Sequence, residues 1–93
     1  MTYCYFLLLA NGDIYKGVTG DLRRGFEEHC EGKVISTRNF RPVRLIGYEA
    51  YMVKTDVMRR EKFLKTTEGR RLLKQQYKDA LNSKNDDRRG EVA

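Results

Sequence analysis

The sequence predicts an α+β fold: a three-stranded antiparallel sheet flanked by helices, in the order β-β-α-β-α-α. Two observations carry this reading. An apolar run, Tyr3 to Ala10, leads straight into Asn11-Gly12, the strongest short hairpin signal, and then into a second strand-like segment. Beyond residue 20 the apolar positions recur at helical spacing, interrupted by one further strand-like stretch, Val43 to Tyr51. Strands that pair locally, with helices after them and no parallel crossover unit, make a small antiparallel sheet covered by helices. The glycines form neither a Walker pattern nor GxGxxG, which excludes phosphate loops of those kinds.

Each element has its own signal. Tyr3 to Leu9 reads as a buried strand and Asp13 to Thr19 as its hairpin partner. The turn leaves two registers open. A two-residue Asn-Gly turn pairs Ala10 with Asp13 and sends Tyr5 and Tyr15 to opposite faces. A three-residue loop, Ala10-Asn11-Gly12, pairs Leu9 with Asp13, puts Gly12 in the left-handed position of a G1 bulge and sets both tyrosines on one face. Asp21 is placed to cap a first helix whose inner face is Leu22, Phe26 and Cys30, with Gly32 as its stop. Residues 33–42 form a basic loop ending at Pro42, and Val43 to Tyr51 is the third strand. Thr55 opens a second helix with Val57, Met58 and Leu64 as its apolar positions. Thr67 caps a third, with Leu72, Leu73, Tyr77 and Leu81 turned inward.

The chain has 93 residues and a mass of 10.9 kDa, enough for one domain. A chain of this size buries only about 60–65% of the surface its unfolded form exposes. The domain is expected over residues 1–81, with 82–93 a flexible polar tail. The longest apolar run falls far short of the ~20 residues that a membrane helix needs, and the start has no signal-peptide features. Cys4 and Cys30 make no disulfide framework, and no CxxC or HxxxH accompanies His29-Cys30 to suggest zinc. A reduced, cytoplasmic protein without membrane attachment or small-molecule cofactor is expected; the oligomeric state is not legible.

The charge is uneven. Residues 54–78 hold nine Lys and Arg against three Asp and Glu, and so carry the whole net charge of +6. A basic block of this kind favours a polyanion, most simply nucleic acid. The cations expected to touch it are Lys33, Arg38 and Arg41 in the basic loop, and Arg59, Arg70 and Arg71 in the helical segment.

Three further features bear on chemistry. Tyr5 and Tyr15 lie on the two arms of the hairpin. His29, the single histidine, stands beside the apolar stripe of the first helix, where an imidazole can relay protons near neutral pH. Glu61 follows Val57 by four residues and precedes Leu64 by three, so it lies on the inward stripe of the second helix. A carboxylate there needs either a basic partner or a hard cation such as Mg²⁺.

The series Tyr3-Cys4-Tyr5, then Tyr15-Lys16-Gly17, Asp21-Leu22-Arg23-Arg24 and His29 resembles the GIY-YIG nuclease superfamily. Ser36-Thr37-Arg38-Asn39-Phe40-Arg41-Pro42, Tyr48-Glu49-Ala50 and Arg59-Arg60-Glu61-Lys62 are similar to its small stand-alone bacterial branch. The resemblance implies a metal-dependent endonuclease hydrolysing DNA phosphodiesters with Mg²⁺ or Mn²⁺. Tyr5 and Tyr15 would share one site and activate or orient the attacking water, and Gly17 would allow close backbone approach. His29 would move a proton or orient phosphate, and Glu61 would hold the metal. One position departs from the family: its arginine, four residues before the histidine, is Gly25 here, leaving Arg24 or Arg23 to reach in. Impaired cleavage is therefore expected. The alternatives are a nucleic-acid-binding module without cleavage activity and a protein-interaction domain on the same scaffold.

Overall fold

The structure is a computed structural model, and it describes residues 1–83. Strand β1 (Thr2–Leu8) is central, antiparallel to β2 (Ile14–Thr19) on one side and to β3 (Arg44–Tyr51) on the other. The helices are α1 (Leu22–Cys30), α2 (Lys54–Leu64), α3 (Thr67–Gln76) and the short α4 (Lys78–Asn82), with a 3₁₀ turn at Arg38–Phe40. The expected order thus holds, with one short helix added at its end. Among the described residues, no helix is long and apolar enough to cross a membrane.

Alternation along β1 builds two cores. Tyr5, Leu7 and Leu9 pack with Leu22 and Phe26 of α1 and with Val43. Cys4 and Phe6 pack with Val57 and Leu64 of α2 and Leu73 of α3. The sheet therefore carries α1 on one face and α2 with α3 on the other. Both faces of β1 are covered, so its sequence is a continuous apolar run rather than an alternating one. Each fully buried side chain in these layers contributes on the order of 1.5–3 kcal/mol.

The hairpin takes the three-residue form. The Leu9 N–H donates to the Asp13 carbonyl at 2.9 Å, the Gly12 N–H to the Leu9 carbonyl at 2.9 Å, and Gly12 has φ +91°. Leu7 then stands opposite Tyr15 and Tyr5 opposite Gly17. Tyr5 and Tyr15 share the α1 face, and Lys16 between Tyr15 and Gly17 points to the other.

Helix α1 is capped as expected, Asp21 accepting from the Arg24 N–H at 3.1 Å. Its inner face is corrected, however. His29 is buried at 2% exposure, while Cys30 is exposed. At about 100° per residue, position 29 returns to within about 20° of Leu22, whereas position 30 has turned about 80° away. The helix ends as a Schellman turn: Gly32 has φ +78°, its N–H donates to the His29 carbonyl, and the Lys33 N–H donates to the Glu28 carbonyl.

Farther on, the structure moves several expected details. Helix α2 starts at Lys54 without a side-chain cap, and Thr66 rather than Thr67 caps α3 by accepting from the Gly69 N–H at 3.1 Å. Met58 and Leu72 are exposed; Val57, Leu64 and Leu73 carry the packing. The helical run breaks at Tyr77, whose ring packs on Phe6 with centroids 5.4 Å apart. Arg44 then ties the end of the described chain to β3, donating to the carbonyls of Ser83 at 2.6 Å and Ala80 at 2.8 Å. Asn82, expected in the tail, closes α4, and residues 84–93 of that tail lie outside the described residues.

Candidate active site

The hairpin and α1 bring three of the expected residues together. Tyr5 Oη lies 2.8 Å from His29 Nε2. The Tyr15 ring is 4.8 Å from the imidazole and 6.3 Å from the Tyr5 ring, centroid to centroid. Gly17 makes room for this packing. The outer end of the Tyr5 ring lies against it, and a Cβ at Gly17 would sit 2.6 Å from Tyr5 Oη. Any side chain there would lift the tyrosine off the neighbouring strand.

His29 is held at its other nitrogen as well. Nδ1 lies 2.8 Å from Oγ1 of Thr37, which is fully buried just before the 3₁₀ turn. A neutral imidazole carries one N–H, so the chain runs in one direction at a time. Either Tyr5 donates to Nε2 while Nδ1–H donates to Thr37, or Thr37 donates to Nδ1 while Nε2–H donates to Tyr5. Burial holds His29 below its ordinary value, partly offset by Glu28. Burial pushes the Tyr5 hydroxyl well up, with Tyr15 and Glu28 adding to it. Both groups are therefore neutral at physiological pH. The Tyr15 hydroxyl makes no hydrogen bond among the described residues, and the ring is half-buried.

The depressed His29 has a consequence for stability. The unfolded histidine, at about 6.5, binds its proton at a higher pH than the folded one. Between the two values the unfolded state holds more protons, so stability rises with pH and is complete above about 6.5. The melting temperature is expected to fall between about pH 7.5 and pH 5.5, and this fall should shrink in His29→Gln. Equal pH dependence in both proteins, followed by thermal melts, would show that His29 does not contribute.

The remaining expected residues stand farther out. Arg24 is exposed, one step off the buried stripe of α1, while Gly25 lies on it. A Cβ at Gly25 would meet Thr19 at 3.4 Å, an ordinary contact. Glu61 projects from α2, across the sheet from α1. Its side chain is only 19% exposed and lies 3.4 Å from the Lys65 ammonium. Its charge adds to the upward push on Tyr5, after burial, Tyr15, Glu28 and Cys4. Glu61 is thus in electrostatic reach of the tyrosine without joining its hydrogen-bonded chain. Arg60, the stronger cation nearby, is taken by Glu49 in a bidentate pair at 3.1 Å.

Among the described residues, no three His, Cys, Asp or Glu side chains cluster to hold a metal. Glu61 by itself suits Mg²⁺, which takes one or two carboxylates and fills its shell with water and phosphate oxygens. Of the expected nucleic-acid contacts, Lys33 pairs with Glu31, Arg59 with Asp56 and Arg71 with Glu68. Arg41 donates to the carbonyls of Arg38 and Cys30 and so braces the basic loop. Arg38 and Arg70 are exposed.

Residues 1–85 match the GIY-YIG catalytic domain. The chain belongs to the GIY-YIG family. This places it in an endonuclease superfamily, and the two signature triplets lie on the paired strands β1 and β2, with Tyr5 of the first opposite Gly17 of the second. A UPF0213 protein of Cupriavidus pinatubonensis is 37% identical over 60 residues, 63% of this chain and 67% of its own. One of Cupriavidus necator is 35% identical over 60 residues, 63% of this chain and 65% of its own. The chain thus spans about two thirds of the length of the curated relatives it matches. The solution NMR structure of a UPF0213 protein from Bacillus halodurans superposes with a TM-score of 0.54 at 31% identity, covering 82% of this chain and 85% of that one.

Two residues of this GIY-YIG domain escaped the sequence reading. Thr37 lies within the stretch that resembles the bacterial branch, but nothing in a loop sequence says which hydroxyl turns inward. Lys16 is the middle residue of a signature triplet, and strand alternation sends it to the face opposite Tyr15.

Proposed function

We propose that this GIY-YIG domain is a metal-assisted endonuclease acting on DNA phosphodiesters in the cytoplasm, with cleavage held low by Gly25. The observation that carries the reading is the buried pair of Tyr5 and His29, 2.8 Å apart, with the Tyr15 ring packed at a tilt against the same imidazole. Hydrolysis requires removal of a proton from the attacking water. A tyrosine pushed upward in pKa by burial does not rest as tyrosinate. It can still take a proton from water while handing its own to neutral His29 Nε2, so no charged tyrosine accumulates. In this reading Thr37 fixes the imidazole for that transfer, and the Tyr15 hydroxyl orients the water.

Glu61 would hold the divalent ion, which when bound supplies positive charge to the scissile phosphate and its leaving oxygen. Substrate would lie over the β2 edge, within reach of the half-buried Tyr15. The second reading, DNA binding without cleavage, is favoured by one observation, the absence of a cation on the buried stripe at position 25. The test is conversion of supercoiled plasmid to the nicked form in Mg²⁺ with and without EDTA, for the chain as written and with Gly25→Arg. EDTA-sensitive nicking lost in Tyr5→Phe supports the nuclease. Tight plasmid binding with no nicking by either protein supports the binding module.

A further inference from the structure

We infer that the cleft between β2 and α3, lined by Lys16, Arg70 and Lys74, is a phosphate-binding site that grips a nucleic-acid backbone on the face of the edge strand opposite the tyrosines. This rests on the proposed action on DNA and extends it to a second point of contact.

The cleft has a volume of about 280 Å³, and Ile14 and Leu73 form its apolar floor. Arg70, Leu73 and Lys74 fall at i, i+3 and i+4, one face of α3, and that face looks onto Lys16 of β2. Five other cations, Lys33, Arg59, Arg60, Lys65 and Arg71, are each within ion-pair distance of a carboxylate. Among the described residues, none of the three in the cleft is. The one carboxylate at its edge, Asp13, accepts from the Asn11 side-chain amide at 3.2 Å.

The crowding is felt by Lys16. Burial holds its ammonium below the ordinary lysine value, and Arg70, Lys65 and Lys74 hold it lower still, with Asp13 offsetting them in part. Like charges gathered over a low-dielectric floor focus a positive field, and a bound anion relieves their repulsion. Position supplies the link to the tyrosines. Lys16 follows Tyr15 directly, and neighbours on a strand point to opposite faces. Strand β2 is an edge of the sheet, so a backbone crossing that edge can present one phosphate to the tyrosines and another to the cleft.

The test measures binding without chemistry, by fluorescence anisotropy of a labelled 20-base-pair duplex in EDTA between about 50 and 200 mM salt. Lys16→Gln with Lys74→Gln should weaken binding at least ~10-fold and flatten the log–log salt slope by about 1–2, since each phosphate contact contributes about 0.9. Lys54→Gln with Lys62→Gln removes the same charge from exposed positions of α2 and should change affinity less than about threefold. Asp13→Asn should tighten binding, and Lys16→Arg should retain it. Equal losses from both double variants would show diffuse attraction and overturn the site. So would unchanged binding by the cleft variant, or no duplex binding by the parent chain.

Inorganic phosphate separates the sources of the ligand. If phosphate shifts the Lys16 and Arg70 resonances while duplex affinity ignores the cleft, the site takes a free anion and the backbone proposal fails. Competition by poly-glutamate with the same dependence on Lys16 and Lys74 would likewise overturn it in favour of an acidic peptide. Plasmid nicking is scored separately. Cleft-dependent binding without nicking sinks only the nuclease reading, and nicking with diffuse binding sinks only the cleft.

Discussion

An arginine introduced at position 25 is expected to raise nicking of supercoiled plasmid by about 10²-fold or more, the scale on which a preorganised donor to a transition-state charge acts. The backbone is already suited to it. Position 25 lies on the buried stripe of α1 one turn before His29, and the first carbon of a side chain would meet Thr19 at 3.4 Å without displacing it. Replacing a mid-helix glycine also recovers on the order of 1 kcal/mol of helix propensity. From there a guanidinium would extend toward the tyrosine face, where the proposed reaction would develop negative charge on the phosphate. Ground-state DNA affinity should change far less than the rate, because the added charge acts on the transition state. Brisk cleavage by the chain as written, indifferent to Gly25→Arg but abolished by Arg24→Ala, would show that Arg24 has taken the role from its exposed position.

The second large effect is expected at Glu61. In the Gly25→Arg protein, Glu61→Gln should lower Mg²⁺-dependent nicking about a thousandfold, because the ion's several kcal/mol of charge stabilisation is lost with its anchoring carboxylate. The fold should survive. The amide has the size of the carboxylate, and the pair lost with Lys65 is a partly exposed one of the kind that contributes little. Melting temperature and DNA affinity in EDTA are the controls. Full activity of Glu61→Gln with an unchanged Mg²⁺ requirement would place the metal elsewhere.

The hairpin and the ends of the first helix were legible in the sequence because local signals marked them: Asn11-Gly12 for the turn, Asp21 before Leu22 and Gly32 after Cys30 for the helix. The family resemblance required Tyr5 and Tyr15 on one face, and of the two registers open at the turn, the bulged one satisfies it. The helices were read less well. Choosing Leu22, Phe26 and Cys30 followed steps of four, which drift around a 3.6-residue helix. The stripe instead runs through positions 22, 25, 26 and 29, and so His29 belongs to the core. Thr66 and Thr67 offer the same hydroxyl, and only the position of the first helical turn decides which of them caps. Charge counting marked the segment 54–78 but could not say which cations were already committed. Pairs such as Arg59 with Asp56 form at i, i+3, while the cleft joins Lys16 to Arg70 across more than fifty residues of chain.

The bulged hairpin sets a rule for how the chain can change length. Its loop of Ala10, Asn11 and Gly12 fixes which residues of β2 face α1. If a change of loop length made the strands pair one step out of register, β2 would exchange its two faces. Lys16 would then be carried under the imidazole and Tyr15 into the basic cleft, so both sites would be lost through one event that touches neither. Insertions and deletions at this tip are therefore tolerable where the loop itself absorbs them and the pairing of Leu9 with Asp13 is kept. Residues remote from the chemistry thus guard the register on which both sites depend.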